Sequence, residues 1–162
     1  MSVDKEAAPT SKVENASEGY TYRYPHPAVT ADCVVVARCG GNHRLLLIER
    51  KHPPCQGKWA FPGGFMNIDE TAEAAARREL FEETGLKVDK LEQVGTFSAV
   101  DRDPRERVIT VAYVAVIEQA LTVAAQDDAQ RAQWFEVDKL PPLAFDHQEI
   151  WEKARKLLAD KL

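Results

Sequence analysis

The 162-residue chain is 44% hydrophobic and 29% charged, ordinary values for a globular protein with room for a core. A net charge of −5 excludes the basic footprint of a nucleic-acid binder, and no run approaches the roughly 18 apolar residues of a membrane span. Three cysteines, Cys33, Cys39 and Cys55, suit neither a disulfide framework nor a zinc site and fit reduced thiols in a cytoplasmic protein.

Residues 1–19 carry both charge signs, with Pro and Ser and no apolar run, which predicts a disordered tail and not a secretory signal. Residues 20–162 read as a single domain without internal repeat. In TYRYPHPAV, Pro25 and Pro27 favour an extended arm, and Tyr22 and Tyr24 pack either on the body or on a ligand. VTADCVVVAR (29–38) predicts a buried strand, Gly40-Gly41-Asn42 a hairpin turn, and RLLLIER (44–50) the returning strand. KHPPCQGKW is a breaker-rich loop; Trp59-Ala60-Phe61 is a short strand that runs into the turn Pro62-Gly63-Gly64. A helix follows over about 70–84, capped by Asp69 or Thr71 and stopped by Gly85, which can take the left-handed conformation. VDKLEQVGTFSA (88–99) predicts a strand bent near Gly95, DRDPRE (101–106) a charged loop, and RVITVAYVAVIE (107–118) a central strand. AAQDDAQRA reads as a polar loop and QWFEV (133–137) as a short strand. After Pro141-Pro142, helical spacing runs from 146 to 162, with Ile150, Trp151, Ala154, Leu157 and Leu158 near one face. Hairpins interleaved with helices imply a mixed sheet covered by helices.

The helix at 70–84 carries the chemistry. Glu79 lies three residues from Glu82 and four from Glu83, so three carboxylates share one face and repel one another. A hard divalent cation such as Mg2+, or Mn2+, removes that penalty, because oxygen ligands suit it. Arg78, four residues from Glu82, can orient a carboxylate without blocking the metal. The two glycines before the helix let backbone approach a metal or phosphate closely.

From Gly64 to Leu86 the chain reads Gly, five residues, Glu, seven residues, then Arg-Glu-aliphatic-any-Glu-Glu-any-Gly-aliphatic. Gly64, Glu70, Arg78, Glu79, Leu80, Glu82, Glu83, Gly85 and Leu86 fill every position, so the chain closely resembles the Nudix hydrolases. The resemblance implies a three-layer α/β/α sandwich with a mixed sheet over roughly residues 25–160, and hydrolysis of a nucleoside diphosphate linked to another group. It assigns Glu79 and Glu83 as metal ligands with the Gly63 carbonyl, and Glu82 as a further ligand or a base-side carboxylate. Glu70 and Arg78 support the cluster, and Gly64 and Gly85 shape it.

Many relatives carry a loop glutamate before the last strand, in a phrase like Asp-Asp-Ala-x-Glu-Ala-x-Trp-Phe. Here DDAQRAQWF puts Arg131 at that place. Asp127, Asp128 or Glu82 is left as the candidate base, with Arg131 on phosphate or at the surface. The loop Asp101-Arg102-Asp103-Pro104-Arg105 before RVITVAY resembles the bacterial ADP-ribose pyrophosphatase branch, as do PHPAVTADCVVV and LAFDHQEI. ADP-ribose, cut to AMP and ribose 5-phosphate, is the substrate this implies. Arg50, Lys58, Arg102 and Arg105 are the phosphate candidates, Arg107 a further one, and Tyr24 a stacking candidate beside Phe97 and Trp59. Each of these arginines can instead pair with a neighbouring acid. His52 and His147 read as structural or exposed. The alternatives are hydrolysis of 8-oxo-dGTP or another nucleoside triphosphate, and a non-catalytic ADP-ribose sensor. About 20 residues follow the last strand and its prolines, too few for the winged helix of related regulators. Dimers are common in the branch, and the arm at 20–27 is the segment that would reach a second copy.

Overall fold

The computed structural model describes residues 19–161. The tail expected over residues 1–19 therefore lies, Gly19 apart, outside the described residues.

The elements in chain order are β1 (Ala28–Cys39), β2 (Asn42–Arg50), β3 (Trp59–Ala60), β4 (Gly63–Phe65), α1 (Ala72–Thr84), β5 (Glu92–Phe97), β6 (Val108–Ile117), β7 (Ala129–Glu136) and α2 (His147–Leu157). The sheet is mixed. β1 runs parallel to β6 from Ala28↔Val108 to Ala37↔Ile117, and every other pairing is antiparallel. The order is β3-β2-β1-β6-β5, with β4 on β1 and β7 on β2.

β1 is apolar on both faces because both are covered. Val34 and Val36 turn toward Ile150, Trp151, Ala154 and Leu158 of α2. Ala31, Cys33 and Val35 turn toward Ala75, Ala76 and Leu80 of α1. Alternation along one strand thus feeds two cores, and the helices lie on opposite faces of the sheet, the expected α/β/α sandwich. Burial lifts the Cys33 thiol to a pKa of about 12, so it is inert packing. No helix among the described residues is long and apolar enough to cross a membrane.

Three expectations shift. The bend in β5 is a register break against β6 between Gln93 and Gly95. β7 begins earlier than QWFEV: Ala129, Gln130 and Arg131 belong to the strand, since β2 offers ladder partners as far as Arg50. α2 ends at Leu157, with turns continuing beyond it, and not at Leu162.

Candidate active site

The site is built on α1. Thr71 caps the helix by accepting from Ala74 N–H at 3.1 Å, and Gly85 ends it at φ +72° with its N–H on the Phe81 carbonyl. The face between those caps presents the carboxylates to β4. Gly63 N–H donates to Glu83 at 2.9 Å. A Cβ on Gly64 would sit 2.6 Å from the Glu79 carboxyl carbon, and one on Gly63 would overlap Asp32. The two glycines therefore make room for side-chain carboxylates.

Arg78 is the hub of this rim. It holds Glu70 at 2.6 and 3.0 Å, Glu79 at 2.7 Å and Glu82 at 3.0 Å, and donates to the Phe65 carbonyl. Its pKa rises, chiefly through the hydrogen bond to Glu70, and Arg78 in turn holds Glu70 below the usual carboxylate range. Glu79 and Glu83 move the opposite way. Burial raises both, and Glu83, 5% exposed, is pushed up to about 8.

Among the described residues no three His, Cys, Asp or Glu side chains converge as a ready-made ligand set. The trio differs in setting: Glu83 is buried against the Gly63 N–H, while Glu79 and Glu82 both pair with Arg78. The donors nevertheless fit a divalent ion. They are hard oxygens, and two of them are buried carboxylates whose ionisation nothing but Arg78 and one N–H supports.

The cleft beside this rim measures about 350 Å³ and is lined by Glu79, Arg78, Gly63, Gly64, Arg50, Arg102 and Arg105 among others. Its second wall is arginine and phenylalanine. Arg50 lies 4.9 Å over the Phe145 ring, and Arg105 lies 5.1 Å over Phe65 and 5.9 Å over Phe145. Arg50 gives its Nε to the Pro54 carbonyl at 2.8 Å and has no acidic partner among the described residues. Burial, then Arg105, lowers its pKa. Arg105 forks onto Asp103 at 2.8 and 3.1 Å with its side chain 39% exposed.

Not every expected site residue reaches the cleft. Arg102 lines it, but its guanidinium is 4% exposed and forks onto Asp146 at 2.6 and 2.8 Å, at the head of α2. It is a strut and not a free phosphate ligand. Arg107 is spent on the Ser98 and Ala99 carbonyls. Lys58 is exposed and outside the lining, because its turn closes on Cys55 and aims it outward. Tyr24 is 69% exposed, away from the lining, on the arm whose Tyr22 packs edge-on against His26. Arg131 pairs with Glu49 and lies 5.3 Å over Trp59, itself packed against the α2-side core. Asp128 does line the cleft, 3.9 Å from His52, whereas Asp127 at φ +51° forms the turn before it.

Among the lining residues that were not expected are Asp32, Asp103, Phe145 and His147. Asp32 had a signal, a lone acid inside an apolar strand. The other three depend on where loops settle.

The NUDIX domain model matches residues 26–160. An ADP-ribose pyrophosphatase of Methanocaldococcus jannaschii is 41% identical over 127 residues, 78% of this chain and 72% of that protein. An ADPR responsive transcriptional repressor of Acinetobacter baylyi is 33% identical over 85% of this chain, which spans 57% of the repressor. The NUDIX domain of Shewanella oneidensis NrtR, solved in complex with ADP ribose, superposes with a TM-score of 0.78 at 30% identity, over 83% of this chain and 90% of that one.

Proposed function

The chain belongs to the NUDIX domain family and is a Nudix hydrolase, and on that premise we propose that it hydrolyses the pyrophosphate bond of ADP-ribose to AMP and ribose 5-phosphate with Mg2+ or Mn2+ bound. One observation carries the reading. Beside the helix that fills every position of the Gly64–Leu86 pattern, Gly64, Arg78 and Glu79 line one cleft together with Arg50, an arginine that has no acidic partner among the described residues. Identity of 41% to an ADP-ribose pyrophosphatase supports the substrate.

Glu79 and Glu83, with the Gly63 carbonyl and with Glu82 as a further ligand, would hold the cation. Bound there, a divalent ion supplies charge neutralisation on the diphosphate and acidifies water. The chain's own residues do the rest. Arg50 and Arg105 reach non-bridging phosphate oxygens through the terminal N–H groups that Pro54 and Asp103 leave free, and positioning of this kind is most of what phosphoryl chemistry asks of a protein. Arg78 holds Glu70, Glu79 and Glu82 in place and keeps Glu70 ionised. Asp128, on the cleft side of the loop before β7, is the carboxylate suited to take the proton of the attacking water. The setting is cytoplasmic. Exposed Tyr20, Tyr22 and Tyr24 on the arm suit contact with a second copy.

A chromatographic panel tests the reading, with Mg2+, with Mn2+ and with neither, on ADP-ribose, NADH, 8-oxo-dGTP, diadenosine polyphosphates and UDP-glucose. AMP from ADP-ribose at the highest kcat/KM is expected. Preference for 8-oxo-dGTP would overturn the substrate and keep the reaction class. The repressor relative and the ADP ribose complex favour one second reading, a domain that binds ADP-ribose without turning it over. Tight binding with no product in any lane would establish it.

A further inference from the structure

At the floor of the cleft, a donor and an acceptor are left unused by the roles given above. His147 and Asp32 are 4% and 6% exposed, and both line the cleft. His147 Nδ1 accepts a hydrogen bond from Phe61 N–H at 3.0 Å, which requires that nitrogen to be bare. The proton of the neutral ring therefore sits on Nε2. Burial also pushes this histidine's pKa down, against the pull of Asp32. The ring stacks on Phe61 at 5.1 Å and 8°, so the direction of Nε2–H is set by packing.

Asp32 is held from its other side. Thr110 Oγ1 donates to Asp32 Oδ2 at 2.5 Å, which leaves Oδ1 toward the histidine. Oδ1 and Nε2 are 3.7 Å apart, too far for a direct hydrogen bond. Neither atom has a hydrogen-bond partner among the described residues, yet none of their buried side-chain nitrogens or oxygens is unsatisfied. Both atoms must therefore open onto the cleft.

A neutral donor beside a charged acceptor selects its ligand. A hydroxyl accepts from Nε2–H and donates to Oδ1 with one oxygen. A phosphate oxygen would be repelled by the carboxylate, and an apolar group would leave both atoms unpaired. An adenine edge has both functions too, but takes two ring positions to supply what one hydroxyl oxygen does, and a hypoxanthine analogue separates the two. We propose that Asp32 and His147 form a receptor for a ribose hydroxyl of the nucleotide. The inference rests on this cleft being the ADP-ribose site, and it adds which part of the ligand the floor reads.

Calorimetric titration of the full chain, without added divalent cation so that turnover is held off, tests it. The ligands are ADP-ribose, analogues lacking one hydroxyl each on the adenosine ribose or the distal ribose, and the hypoxanthine analogue. One deoxy analogue is expected to bind at least about tenfold more weakly, and its position identifies which ribose is read. His147→Asn keeps an acceptor for Phe61 N–H but removes Nε2, and should shrink that ratio below about threefold, since the donor left unpaired by the analogue is gone. Equal affinities for all deoxy analogues, a ratio unchanged in H147N, or a loss confined to the hypoxanthine analogue would overturn the receptor, leaving a water or a base edge there. No binding of ADP-ribose would also overturn it. If H147N melts too low to titrate, Thr110→Val frees Asp32 without touching the histidine, and an unchanged ratio there would equally sink the idea. Turnover is read separately with Mg2+. Hydrolysis with a flat ratio leaves the proposed function standing alone, and a clear ratio without hydrolysis leaves the receptor in a binding domain.

Discussion

The two walls of the cleft solve the problem of charge in opposite ways. On the α1 wall Glu70, Glu79 and Glu82 share a single guanidinium while Glu83 has only the Gly63 N–H, so the excess is negative and burial pushes Glu79 and Glu83 toward protonation. On the facing wall arginines are sorted one by one. Arg102 is buried and saturated by Asp146, Arg105 is half open on Asp103, and Arg50 meets only a carbonyl and a ring. Residues of one type, three positions apart in a single loop, thus serve different ends. What differs is the element the partner belongs to: Asp146 heads a helix that packs on the core and draws Arg102 in with it, whereas Asp103, itself buried, belongs to the loop and leaves Arg105 half open.

The sharpest way to break the contrast is Glu83→Gln. We expect turnover to fall by at least about a hundredfold while the circular dichroism spectrum stays native. Near-normal activity in Mg2+ would remove Glu83 from the metal centre. Next in size is Arg102→Ala, which strands Asp146 in a mostly buried position and should cost about 3–5 kcal/mol in denaturant unfolding. Arg105→Ala leaves buried Asp103 the backbone N–H of residue 105, so it should cost less, about 1–3 kcal/mol, and also raise KM. Equal stability losses in the two variants would erase the distinction between strut and ligand.

A third expectation concerns pH. Glu83 has a folded pKa of about 8 against an ordinary 4.5 for a free glutamate, so the native state binds the extra proton. Its contribution to stability is complete below about pH 4.5 and is lost as pH rises through 8. Melting of the cation-free protein should therefore decline over that window, and the decline should flatten in Glu83→Gln. Added Mg2+ should raise the melting temperature more at pH 8 than at pH 6, since ionised carboxylates are the ligands. A stabilisation independent of pH would argue that the ion binds elsewhere. The smallest effects belong to Lys58→Ala and Tyr24→Ala, both off the cleft, with kcat/KM within about twofold of wild type.

The carboxylate wall was legible in the sequence because its geometry is local. Spacings of three and four, a threonine cap and a terminal glycine fix the helix face whatever surrounds it, and the valine-rich run of β1 announces a doubly covered strand in the same way. The arginine wall was not. Whether Arg102 meets phosphate or Asp146 is decided across 44 residues of chain, and Arg131 faces Glu49 only because β7 begins four residues ahead of Gln133. Asp32 and His147 were hidden for the same reason. Each looks like an isolated polar residue until a strand and a helix 115 positions apart are brought together.

The tie from Phe61 N–H to His147 spans 86 residues, and the fork from Arg102 to Asp146 spans 44. Both contacts wait for α2. During synthesis the carboxylate helix can form early, but the cleft has no floor and no anchored second wall until residues beyond Asp146 have left the ribosome and docked. A nucleotide in the cell is thus of no help to a half-made chain, and the carboxylate helix is displayed before there is a cleft for it to line.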